Sequence, residues 1–232
     1  MTPVRNTLLA LCAVLVVGAC SGTPAPTTPT NSSGASPTAG TAAADETAAV
    51  RTAFEDYKKA ALAKDGAATV NLLSAGMHRF YDESRVLALT GGADKVGALP
   101  PSSAFVVYAL RAEFDAATLR AASPADLVKS AVEKNLVGEN ARSAELGEIT
   151  VNGDAATALM VMQGKQTDIE LPFAKEGGRW RMDPRPLLAH ADDALRDAAK
   201  QRGVAVEEML DGVLAQRYGA ERVPALKKPL EG

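Results

Sequence analysis

The sequence predicts an α+β domain behind a leader that is not part of it. Three features carry that expectation. Apolar residues recur at helical spacing from Val50 to Leu136; the period becomes strand-like, with hairpin turns, from Ala144 to Met182; and helical spacing returns after Pro184.

The leader comes first in the chain. Residues 8–17 read LLALCAVLVV behind one positive charge, Arg5. At about ten residues the run is too short to cross a bilayer as a helix, and it reads as the apolar region of a secretory signal spanning residues 1–19. It closes on Val17-Gly18-Ala19-Cys20, which resembles the lipobox of bacterial lipoproteins. The resemblance implies cleavage after Ala19 and a diacylglycerol on the Cys20 thiol, with, in many bacteria, a further acyl chain on the new amino group. Each buried methylene contributes about 0.8 kcal/mol, so two or three chains anchor stably where one holds weakly. The other reading is an ordinary signal cut after Ala19 with an incidental cysteine. The expected address is a bacterial cell membrane or outer membrane, with the domain outside the cytoplasm. Ser21 resembles the outer-membrane sorting signal of Gram-negative bacteria and means nothing in an organism with one membrane.

The chain has two cysteines, Cys12 inside the apolar run and Cys20. A mature domain would have no thiol for a disulfide or a Cys-ligated metal, so its apolar core has to hold it. From Ser21 to Asp45 the chain is almost entirely Ser, Thr, Pro, Gly and Ala. That composition buries too little apolar area to offset ordering, so residues 20–45 are expected to form a disordered tether behind the lipidated cysteine. As a flexible coil it would span roughly 30 Å, and fully extended about 80 Å.

Residues 46–232 are long enough for one domain with a real core. The formal charge of −3 for the whole chain gives no electrostatic reason to expect nucleic acid. Val50, Phe54, Tyr57 and Ala61 predict a first amphipathic helix over 46–64, stopped by Lys64-Asp65-Gly66. A short second helix carries Val70 and Leu73, and a third carries Met77, Phe80, Tyr81, Leu87 and Leu89 to Gly91-Gly92. Pro100-Pro101-Ser102 opens a fourth, through Val106, Val107, Leu110 and Phe114. Ser123-Pro124-Ala125-Asp126 has the cap, proline and acid of a helix start, and the helix is expected to run through Leu127, Ala131 and Leu136 to Gly138.

The strands follow. AELGEITVNGDAATALMVMQ reads as two strands around Asn152-Gly153, a type I′ turn signal, and TDIELPFAKEGGRWRMDP repeats the form around Gly177-Gly178. The result is a four-stranded antiparallel meander. Its second strand, apolar on both faces, should be central. Two helices close the chain, the last marked by Val206, Met209, Leu210, Val213 and Leu214.

This order of elements, with local forms such as ALAKDGAATVNLLS and GGRWRMD, resembles the nuclear-transport-factor-2-like fold, an α+β cone, over residues 46–185. The helical insertion between 95 and 138 is longer than that fold usually has, and residues 186–232 form a C-terminal helical extension; both look like uncharacterised envelope lipoproteins. The resemblance implies a pocket inside the cone, and a family that includes isomerases, dehydratases, polyketide cyclases and noncatalytic binding modules. Dimerisation through the outer sheet face is common in it. Such a fold does not decide function.

The enzymatic members of that family use an Asp, His or Tyr inside the cone as general acid or base. Here His78, with Asp82 one helical turn on, is the sharpest catalytic pair, an imidazole that a carboxylate could orient; a solvated helix face is the plainer reading. His190 is expected on a polar face, with Asp192 and Asp193 in an acidic first turn. Trp180 between Arg179 and Arg181 is a candidate pocket wall, as are Met160 and Met162, with ordinary core packing as the alternative. No metal-ligand set or cofactor motif is present in the sequence. The expected function is a noncatalytic module binding a small apolar molecule or an envelope protein. A cofactor-free isomerase or dehydratase using His78 and Asp82, and a structural envelope scaffold, are the alternatives.

Overall fold

The computed structural model describes residues 38–134, 136 and 139–231. Ala19 and Cys20, and with them the expected signal and lipidation site, lie outside these residues. The first helix, α1 (Thr38–Leu62), starts eight residues before the expected Glu46. Its added turns come from Thr-Ala-Gly-Thr-Ala-Ala-Ala-Asp, where three successive alanines, the best helix formers, extend a helix already fixed downstream by packing. Part of the expected tether therefore belongs to the domain.

The break after α1 works as its residues suggest. Lys64 turns the chain at φ +57°. The Asp65 side chain then accepts from the Ala68 N–H to cap α2 (Gly66–Val70). Leu73, expected in that helix, lies beyond its end. α3 (Ala75–Thr90) is capped by Ser74, and α5 (Pro101–Glu113) has proline at its first position. α7 (Pro124–Glu133) has the full capping box, Ser123 and Asp126 each satisfying the other's backbone N–H. It ends before the expected Gly138, which lies outside the described residues. Besides a third C-terminal helix, the four-residue α10 (Val223–Leu226), two helices were not anticipated, α4 (Ala93–Gly97) and α6 (Ala116–Ala121). Each is too short to show a helical period, although Asp115 caps the second of them.

The strands β1 (Ala144–Asn152), β2 (Ala155–Met162), β3 (Lys165–Glu176) and β4 (Arg179–Met182) form one antiparallel sheet in the order β1-β2-β3-β4. The expected meander is therefore present. The first turn is displaced by one residue. Asn152 still pairs with Ala155, so Gly153-Asp154 is the turn, and only Gly153 has positive φ, the type II′ pattern. The type I′ pattern, positive φ at both central residues, appears instead at Gln163-Gly164 and at Gly177-Gly178. β2 is interior as expected. Its inner face, Ala156, Ala158 and Met160, is buried, while Leu159 and Val161 on the other face are half-exposed.

Both sheet edges are attended by other parts of the chain. At β1, Arg51 of α1 donates to the carbonyls of Leu146 and Gly147, and Lys58 to that of Ala144. At β4, Leu73 forms a parallel bridge with Met182, with bonds from the Ser74 N–H to the Met182 carbonyl and from the Met182 N–H to the Leu72 carbonyl. Such coverage removes sites where a foreign strand would pair.

The inner sheet face is packed. Leu146, Met160, Leu171, Phe173, Trp180 and Met182 share one continuous core with Val50 and Phe54 of α1, Met77 and Tyr81 of α3, Val107 and Leu110 of α5, and Leu127 of α7. Chain-terminal residues join the same core. α8 (Arg185–Arg202), α9 (Val206–Tyr218) and α10 (Val223–Leu226) follow β4, and Leu210, Leu214, Val223 and Leu226 belong to it.

Candidate functional site

His78 is half-buried on α3, and its Nε2 lies 3.1 Å from the Val70 carbonyl. A carbonyl can only accept, so Nε2 carries the proton and, in the neutral ring, the lone pair is at Nδ1. Asp82 does not orient the ring. Its Oδ1 accepts from Arg85 Nε at 3.0 Å and from Nη2 at 2.8 Å, and Arg85 also reaches the Leu119 carbonyl. The expected His78–Asp82 hydrogen bond is thus replaced by a backbone contact and an i,i+3 ion pair. Arginine wins because its fork presents two donors to one carboxylate.

The other candidates do not converge either. Trp180 is buried, and its indole N–H donates to Glu46 Oε2 at 2.8 Å, while Lys175 bonds Glu46 Oε1 at 2.6 Å and lies 5.7 Å over the indole ring. Those two hydrogen bonds, Lys175 first, hold the Glu46 carboxyl below its ordinary value. Met160 is fully buried and Met162 half-buried. In the ladder Met160 lies opposite Leu146 of β1, whereas Trp180 lies opposite Lys175, beyond the other end of β2. The two methionines and the tryptophan therefore do not wall one pocket.

His190 is exposed, as expected. Asp192 is not in the first turn of its helix, which begins at Arg185. It is buried, and its Oδ1 accepts from the Ser102 N–H at 2.5 Å, so it caps α5 from a distant part of the chain. Asp193 pairs with Arg196. Among the described residues no group of three or more His, Cys, Asp or Glu side chains is placed to hold a metal ion.

Three arrangements were not legible in the sequence. The first is the start of α3, where the Ala75 N–H is taken by Glu176 and the Met77 N–H by Ser74. Beside it Asp183 binds Arg185; burial raises that carboxyl, but the Arg185 hydrogen bonds outweigh it and hold it below its ordinary value. The helix end that would attract an anion is already occupied by the protein's own carboxylate. The second is a pair of phenols, Tyr81 buried and Tyr57 half-buried. Burial pushes Tyr57 up to about 12, and burial together with Tyr57 raises Tyr81. Both stay protonated at neutral pH, available as donors and not as bases. The third is Arg111, 5% exposed, which donates to the carbonyls of Leu87, Ala88, Gly91 and Leu226. It binds the C-terminal end of α3 to α10, and burial lowers its ordinarily very high pKa. Its charge faces helix-terminal carbonyl dipoles rather than a carboxylate.

Concavities indent the surface of the described residues. A groove of about 810 Å³ runs between α1, α2 and the β3–β4 hairpin, past Ala53, Ala60, Ala68 and Trp180. A smaller one of about 520 Å³ lies on the outer sheet face, beside Glu148, Thr157 and Glu170. No helix among the described residues is long and apolar enough to cross a membrane. Comparison with protein-family models, with curated proteins and with solved structures finds no match for this chain.

Proposed function

We propose that this protein is a noncatalytic component of a bacterial envelope, anchored through lipid on Cys20, that acts through its surface on a protein partner. The carrying observation is the packed interior: the buried residues of the inner sheet face belong to one continuous core with side chains of α1, α3, α5, α7, α9 and α10. An enzyme of the isomerase or dehydratase kind needs an acid and a base facing a shared space. Here His78 faces a carbonyl and Asp82 an arginine.

A nuclear-transport-factor-2-like cone is the fold reading that fits this arrangement best. It is supported by the course of α1 across the sheet, reaching β1 through Arg51 and Lys58 and β4 through Glu46, and by the meander order. On this reading the core residues of α5, α7, α9 and α10 take up the space that a cone would leave for a ligand.

The test uses the full chain in a bacterial host, labelled with an alkyne fatty acid and crosslinked in intact cells. The expected result is label and membrane retention on the full chain, both lost in Cys20→Ala, together with a crosslinked species of one reproducible mass. No label on the full chain would overturn the anchor. Label without any crosslinked species would overturn the partner reading and leave a spacing role.

A further inference from the structure

We draw no further inference here: the strongest candidate, the groove between α1, α2 and the β3–β4 hairpin, carries nothing because no feature of the structure shows what covers it.

Discussion

At the residue scale, the side chains that matter most are tied to backbone rather than aimed at a ligand. Arg111 is the clearest instance. Replacing it with Ala takes a donor from the carbonyls of Gly91 and Leu226, while those of Leu87 and Ala88 keep the N–H groups of Gly91 and Leu230, and each buried group left unsatisfied costs about 1–3 kcal/mol. Some will find water, so urea denaturation should show Arg111→Ala destabilised by about 2–4 kcal/mol. Arg111→Lys, with the charge but not the fork, should fall between. His78 and Asp82 give a sharper contrast. A double-mutant cycle should return coupling within about 0.3–0.5 kcal/mol of zero for His78 with Asp82, the error of such cycles. The Asp82–Arg85 pair should give about 0.3–1 kcal/mol. Substantial coupling of His78 to Asp82 would restore the acid–base pair to consideration. Glu46 supplies a pH dependence. Its carboxyl is depressed in the folded state from an ordinary value of 4.5, so the unfolded chain binds that proton more readily. The stability it contributes is present above pH 4.5 and is lost as the pH falls through the folded-state value. Glu46→Gln should reduce the slope of stability against pH below 4.5 and leave the neutral region flat, as read from midpoints of chemical denaturation.

At the scale of elements, the local signals carried most of the information and distant partners carried the surprises. The caps at Ser123 and the Lys64-Asp65-Gly66 break were legible because their chemistry is complete within four residues. The meander was legible because alternation and glycine turns are local too. Asn152-Gly153 misled by one residue because strand pairing extends to Asn152 and hands the turn to the next two positions. Arg111 and Asp192 could not be read, since their acceptor or donor groups lie up to 115 and 90 residues away. The pairing of Asp82 with Arg85 was open to sequence reading, both residues standing one turn apart, but the histidine at the opposite spacing drew the inference.

Two element-level outcomes follow from backbone geometry. A Cβ on Gly66 would lie 2.5 Å from the Lys129 carbonyl oxygen, so Gly66→Ala must push α2 away from α7. It should cost about 1–3 kcal/mol, even though alanine is the better helix former. Gln163 sits at φ +53° in the β2–β3 turn, a conformation that disfavours ordinary side chains. Gln163→Asn, which supplies the preferred Asn-Gly pair, should raise the melting temperature by a few degrees. A fall would mean that the glutamine has a contact worth more than the relief.

For the whole molecule, residues of α1 and of α9 and α10 share one core with the inner sheet face, and the terminal segment is fastened to the helices. Lys227 bonds Glu207 and Asp211, and the N–H groups of Leu230 and Glu231 donate to the carbonyls of Ala88 and Leu89. The early start of α1 also leaves 17 residues, 21–37, between Cys20 and the first helix. The proposed anchor on Cys20 would leave the surface of the domain open to partners. The claim on which this depends is that the interior is filled by the protein itself. Native mass spectrometry of residues 38–232, incubated with lipid and metabolite extract from the host, tests it directly. The account predicts the bare mass of one or two chains; a small molecule retained through desalting, and lost when Met160 or Met182 is replaced by Trp in a folded variant, would contradict it.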